Sequence, residues 1–425
     1  AFVKIFSTLI GFLMVPLILS YLDTNKYGIW LILSSIIGWV GLLDFGIGNG
    51  TKNMLGEAWA IKDYSLARKI VSTSYAVTVG IVIIWNFVFW MINPFLDWIN
   101  ILNIDSSLLN EVKMLIFIMV VLISLRMITG LIMPILYVDH RPAIADFIVL
   151  LSSVFSFTII FILSLTTKNS LIYMGLSLTF FSVIVPFFAS IWFFKNDYKL
   201  ISPSFSYIDF SKIKNLLNQG LHFSLLQISA LVLTMTDMLI ITQLYGPEEV
   251  VPYNIAFKLF SYVIVLFGVI VAPFWAAYND AFHKENFIWI KRVTNKLIRI
   301  WLFVSIGVVV MILVSSIIYS FWVGEKIIIP YSVTVFMGLF VIVQILNTIF
   351  TTFIFSTGKL RILTLVGVLI TFINIPLCFI LAENLNFGVS GIILATVICT
   401  LFNTLIAYMQ YNKIVNQKDE GIWAK

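Results

Sequence analysis

Six ionisable residues stand within or at the ends of long apolar runs: Lys4, Asp44, Arg126, Asp146, Asp237 and Lys258. Transfer scales put a charged side chain at the centre of a membrane helix at roughly 2.5–3.5 kcal/mol. With Lys4 left near a helix end, the other five would cost on the order of 10–15 kcal/mol if isolated. Pairing, snorkelling or a wet cavity has to offset much of that. Each type brings its own chemistry. The Arg126 guanidinium presents a fork of donors that fits a phosphate. The Lys258 ammonium meets an anionic headgroup. A carboxylate so placed binds a proton or a sodium ion, which gives Asp44, Asp237 and Asp146 a candidate role in ion coupling or gating.

Structural roles compete with each of these. Asp237 and Lys258 lie about seven residues, or about 10 Å of helix rise, from the same ends of consecutive antiparallel helices, so an ion pair is expected. That pair either neutralises itself and fixes packing, or opens for an anion. Arg126 contacts either a phosphate or carbonyls inside its own bundle. Asp44 sits in Leu42-Leu43-Asp44-Phe45-Gly46 near a helix end, where Lys52 can tune it. Lys4 either snorkels to the surface or joins a binding site.

The elements that position these groups are membrane helices. The chain is 61% hydrophobic and 11% charged, against about 25% charged in soluble domains. Its apolar runs are about 20 residues long, enough to cross ~30 Å of hydrocarbon as helix. Twelve spans are predicted, over 2–22, 27–47, 70–92, 112–137, 143–165, 169–194, 216–243, 251–277, 295–321, 328–356, 361–382 and 388–411. Twenty of the 26 Lys and Arg residues fall on the side of the N-terminus; Lys26, Lys113, Lys168 and Lys326 fall on the other. The positive-inside rule then places both termini in the cytoplasm. The chain opens inside an apolar stretch without Met, which predicts a short preceding segment.

A polar stretch with Pro203 divides the spans six and six. The expected organisation is an N-terminal six-helix bundle over 1–198, a cytoplasmic linker over 199–215 and a C-terminal bundle over 216–425. Laying span 2 over span 8 aligns Trp30 with Tyr253, Trp39 with Tyr262 and Glu57 with Asp280. An even number of spans per half makes the repeat parallel, with a central cavity between the halves. Segments 48–69 and 278–294 mix aromatic and basic residues and are read either as surface helices or as solvated loops.

Tyr27-Gly28-Ile29-Trp30, Ser34-Ser35-Ile36 and Leu43-Asp44-Phe45-Gly46-Ile47-Gly48-Asn49 resemble the N-terminal signature of O-antigen and capsule repeat-unit flippases. These are the polysaccharide branch of the multidrug/oligosaccharidyl-lipid/polysaccharide exporter superfamily. Asp237-Met238-Leu239-Ile240-Ile241, Tyr245-Gly246-Pro247-Glu248 and the stretch from Tyr253 to Leu259 agree with it. The resemblance implies movement of an undecaprenyl-pyrophosphate-linked glycan from the inner to the outer leaflet of the bacterial cytoplasmic membrane. It also implies two six-helix bundles around a cavity lined by helices 1, 2, 7 and 8, with a glycan polymerase and a chain-length regulator as partners. Trp39, Tyr253 and Trp275 lie on such spans and either pack or stack on sugars. A monomer is compatible with it. Relatives that flip the peptidoglycan precursor carry several arginines in helices 1, 2 and 8, where this chain has only Lys4 and Lys258. A cation-coupled drug antiporter of the same superfamily is the alternative, and it would favour a cavity rich in carboxylates.

Other chemistries find no support. Gly46, Gly48 and Gly50 precede Lys52 without a full phosphate-loop pattern, and they follow a membrane helix instead of a strand. His140, His222 and His283 have no metal spacing, so no metal or cofactor is expected. Cys378 and Cys399 read as small apolar residues. The scattered basic residues do not suggest nucleic acid. No nucleophile–base arrangement marks an enzyme.

Overall fold

A computed structural model describes residues 2–38, 47–213, 236–325, 327–418 and 421–424. Asp44, Trp39 and parts of the spans expected over 27–47 and 216–243 lie outside the described residues, as does the side chain of Lys4.

The described chain is helical throughout. The first part comprises α1 (Phe2–Tyr21), α2 (Thr24–Gly38), α3 (Ile47–Ala60), α4 (Tyr64–Ile92), the short α5 (Trp98–Leu102), α6 (Leu109–Thr129), α7 (Ile132–Val138), α8 (Pro142–Thr166) and α9 (Leu171–Lys195). Residues 236–245 are helical. There follow α10 (Val250–Val271), α11 (Phe274–His283), α12 (Phe287–Leu313), α13 (Ser315–Val323), α14 (Tyr331–Thr357), α15 (Arg361–Phe379) with a π turn over Ile380–Asn384, and α16 (Val389–Val415). Among the described residues, nine helical stretches are long and apolar enough to cross a membrane. Two compact units result: Ala1–Ile228 with Gly246–Glu248, and Ser229–Tyr245 with Glu249–Lys425.

Helix ends follow capping chemistry more than hydropathy. The third span begins at Tyr64, not at residue 70, because Asp63 caps α4 and accepts from the Leu66 amide at 2.9 Å. The ninth begins at Phe287, not at 295, because Asn286 accepts from the Trp289 amide at 3.1 Å. The fourth span breaks. Gly130 caps α6, its amide donating to the Arg126 carbonyl at 2.8 Å, and α7 restarts at Ile132. A Cβ at Gly130 would stand 2.9 Å from that carbonyl oxygen. The eighth span likewise divides at Ala272-Pro273 into α10 and α11.

Large apolar side chains face outward along the long helices, among them Phe87, Phe188, Phe303 and Phe321. In lipid this is the favourable arrangement, and the interiors use small and hydroxylated residues for close packing. In the first unit Ser72, Ser74 and Thr78 are buried on α4, and Thr51 donates to Ser74 at 2.8 Å. One apolar cluster gathers Leu55, Ala58, Ile70, Ile132, Ile135 and Ile148 from α3, α4, α7 and α8. At one end of this unit the Asp139, Arg141, Asp197 and Tyr198 side chains form a network. Arg141 pairs with Asp139 at 2.8 Å and with Asp197, and Tyr198 donates to Asp139 at 2.9 Å. Burial and the Asp139 carboxylate push the Tyr198 hydroxyl upward, so it stays a donor. At the opposite end Lys26 pairs with Glu111 at 2.7 Å and donates to the Asn169 carbonyl at 2.7 Å, while Glu111 accepts from the Leu171 amide at 2.7 Å. Three loops are thereby tied together.

Candidate functional site

The first unit holds an open cavity of about 600 Å³. Its walls come from α2 (Trp30, Ser34), α3 (Ile47, Gly48), α4 (Thr78), α6 (Met119, Ile123, Arg126), the α6–α7 break (Gly130, Leu131), α7 (Pro134) and α9 (Thr179). The walls are largely apolar, with a few polar groups among them. Ser34 and Thr179 spend their hydroxyls on carbonyls of their own helices, Leu31 at 2.8 Å and Gly175 at 2.7 Å. The Thr78 hydroxyl is buried without a hydrogen-bond partner.

Arg126 is the charged member of this lining. It stands in the last turn of α6, where the helix dipole favours a cation. Its side chain is exposed into the cavity, and no carboxylate or carbonyl partners it among the described residues. A turn at Gly130-Leu131 follows one turn later, within a helical stretch that runs on to Val138. Trp30 walls the same space, and Gly175 of α9 lets it approach: a Cβ there would lie 3.1 Å from the indole and 2.2 Å from Leu115. Sequence reasoning singled out Arg126. It noted Ser34 only as part of a motif and missed Thr78 and Thr179, which in sequence are ordinary hydroxyl residues of apolar helices.

The second unit holds a different arrangement. Asp237 is buried, and its Oδ2 accepts from the Tyr253 hydroxyl and the Thr396 hydroxyl, each at 3.1 Å. Its Oδ1 has no partner among the described residues. Asn374 donates to Thr396 at 3.3 Å and lies 3.8 Å from the Cys399 sulfur, while the Cys378 thiol lies 3.7 Å from the Asn374 carbonyl oxygen. Asp237 is therefore not ion-paired with Lys258, contrary to the expectation from shared depth. Its partners among the described residues are two neutral hydroxyls. Lys258 is half-buried on α10 and pairs with no carboxylate among the described residues.

The remaining expectations divide. Tyr253 is not a free sugar platform: it is buried, its hydroxyl is committed to Asp237, and its ring lies parallel to Phe257 at 6.3 Å. Trp275 is 44% exposed on α11, beside Phe355. Asp146 is half-buried in the second turn of α8 and accepts from Tyr137 at 3.4 Å; Lys52 lies over that Tyr137 ring at 5.4 Å. Cys378 and Cys399 are buried and free, and they join a polar network instead of an apolar wall. No group of three or more His, Cys, Asp or Glu suited to a metal occurs among the described residues.

No family model matches the chain. It is 23% identical over 424 residues to a protein named as an O-antigen export protein of Yersinia pseudotuberculosis, covering 92% of this chain and 89% of that one. A protein of Shigella flexneri named as an O-antigen transporter is 24% identical over 311 residues, covering 72% of this chain and 70% of its own. Among solved structures, an inward-facing multidrug-resistance MATE transporter of the MOP superfamily superposes with a TM-score of 0.78 at 13% identity, over 98% of this chain and 94% of that one. The lipid II flippase MurJ, in an inward closed conformation, does so with a TM-score of 0.69 at 17% identity, over 98% and 90%. This polytopic, all-helical membrane chain therefore has the fold of the MOP-superfamily transporters and is similar over 92% of its length to a protein named as an O-antigen export protein.

Proposed function

We propose that this protein flips an undecaprenyl-pyrophosphate-linked oligosaccharide repeat unit, of O-antigen or capsule type, from the inner to the outer leaflet of the bacterial cytoplasmic membrane. The observation that carries the reading is the Arg126 side chain in the first unit's cavity, unpaired among the described residues. A guanidinium without a protein partner is costly in a membrane protein unless an anion or water takes the place of one. A pyrophosphate offers the matching acceptors, and the guanidinium fork can bind two of its oxygens at once. Trp30 with Ser34, Thr78 and Thr179 makes part of the remaining lining, a mixed aromatic and hydroxylated surface that suits sugars. The relatives' names point the same way.

Movement is by alternating access, with both termini cytoplasmic. Lys258 and Lys4 are secondary contacts for the anionic lipid. Asp237 carries ion coupling through its unpaired oxygen, with Asp44 and Asp146 as further candidates. The glycan polymerase and the chain-length regulator act on the delivered unit. Deletion in the native host tests the reading: repeat units should accumulate on undecaprenyl pyrophosphate facing the cytoplasm, and surface glycan should fall. Normal surface glycan would overturn it.

The second reading is a cation-coupled drug antiporter, favoured by the superposition on a MATE transporter and by the buried Asp237. A cavity with Arg126 repels a cationic drug, which sets this reading behind the first. Drug sensitivity of the deletion strain with intact glycan would reverse the order.

A further inference from the structure

The chain that leaves α9 is strapped along α4. From Lys199 to Lys212 it makes three 3-10 turns, Lys199–Ile201, Phe205–Tyr207 and Phe210–Lys212. Between the turns its backbone bonds to α4 side chains. The Ser204 amide donates to Ser72 Oγ at 3.1 Å, and the Asp209 amide donates to Thr73 Oγ1 at 3.0 Å. Arg68 Nε donates to the Ser202 carbonyl at 2.9 Å, and its guanidinium lies 4.2 Å from the centre of the Tyr207 ring.

This strap reaches membrane depth. From Ser72 to Trp90, near the far end of α4, the helix rises about 27 Å, close to the ~30 Å of a hydrocarbon core. With Trp90 at one interface, Ser72 lies just inside the other, and Val79 lies about 10 Å deeper. Irregular backbone at that depth needs protein partners for its polar groups, and Ser72, Thr73 and Arg68 supply them. The strap's outward side chains suit lipid: Phe205 is 94% exposed and Phe210 77%.

Between strap and helix lies an open cavity of about 310 Å³, with Tyr75, Ala76, Val79, Pro203, Phe205 and Ile208 as its apolar lining. The Ser211 hydrogen bond, with Lys69 and Lys212 nearby, holds the Asp209 carboxyl below its ordinary value. Lys69 stands one turn before Thr73 on α4, and with Arg68 the cations of this stretch outnumber Asp209. A soluble anion fits the charges but not the slot. A zwitterionic lipid brings the same phosphate but also a choline cation that Lys69, Lys212 and Arg68 repel.

We propose that this slot binds one anionic phospholipid of the adjoining leaflet, its acyl chain along Tyr75, Ala76 and Val79 and its headgroup phosphate at Lys69 and Lys212. In the orientation proposed above that leaflet is cytoplasmic; binding in detergent depends neither on the orientation nor on the transported substrate.

Native mass spectrometry of the full-length protein in detergent, titrated with phosphatidylglycerol or phosphatidylcholine, tests this. One phosphatidylglycerol should remain bound with a preference on the order of tenfold over phosphatidylcholine. Lys69→Gln with Lys212→Gln should bring phosphatidylglycerol down to the phosphatidylcholine level. Ala76→Trp, which fills the slot, should remove both lipids. Ala76→Trp can also disturb α4, so Phe205→Asp serves as a second variant: that side chain is almost wholly exposed, and a carboxylate at the slot mouth should expel the lipid without lowering the melting temperature. Equal retention of the two lipids by the wild type, or phosphatidylglycerol retention unchanged in the charge and slot variants, overturns the proposal.

Discussion

Arg126 and Asp237 are both ionisable side chains of apolar runs, yet their surroundings differ in kind. Arg126 faces open space without a partner among the described residues, whereas Asp237 is enclosed and one of its oxygens is hydrogen-bonded. The difference yields separate predictions. Arg126→Gln removes charge and fork together, and a hydrogen bond to a charged group is worth about 1.5–3 kcal/mol, so substrate affinity should fall roughly ten- to hundredfold. Arg126→Lys keeps the charge and loses the fork, so it should recover only part of that. Flipping of a fluorescent lipid-pyrophosphate in proteoliposomes, at matched protein levels, measures both; full activity in Arg126→Lys would exclude a two-point phosphate contact. Asp237→Asn keeps the acceptor for Tyr253 and Thr396, and it loses the charge that holds a cation. Folding should therefore survive, while any sodium or proton dependence of transport should vanish. Dependence unchanged in the variant would remove Asp237 from the coupling role.

At the scale of helices, close approach depends on a few small residues. Gly175 of α9 faces Leu115 of α6 and the Trp30 indole of α2 with no room for a Cβ. Gly175→Leu should push α6 and α9 apart and displace Trp30 from the cavity wall. Overpacking of this kind costs about 1–3 kcal/mol, seen as a lower melting temperature in detergent, and transport should fall with it. Much of the helical layout was legible in the sequence, because apolar length and charge breaks are strong signals in a membrane chain. The errors at helix ends had a physical source. Hydropathy sees the apolar run and not the cap, so Asp63 and Asn286, each three residues before the amide it caps, start their helices earlier than the apolar stretch does. The break after Arg126 was hidden inside a continuous apolar run, since Gly130 matters only through its contact with a carbonyl one turn back. The partners of Asp237 were hidden by distance along the chain: Thr396 lies 159 residues away. Shared depth on neighbouring helices suggested Lys258 instead, and depth alone does not fix which way a side chain points.

For the molecule as a whole, orientation in the membrane sets the direction of transport. A green fluorescent protein fused after Lys425 should fluoresce, and alkaline phosphatase fused there should be inactive, if the C-terminus is cytoplasmic; the opposite pair of results would invert the topology and the direction of flipping with it. Arg126 belongs to the first unit and Asp237 to the second. If an ion at Asp237 influences substrate at Arg126, it does so by biasing which conformation the protein adopts. Such an influence is reciprocal by thermodynamic necessity. If sodium at Asp237 changes the affinity for lipid-pyrophosphate by some factor, the lipid must change sodium affinity by that same factor. Calorimetric titration of each ligand in the presence and absence of the other should return two equal ratios, and Asp237→Asn should bring both to one.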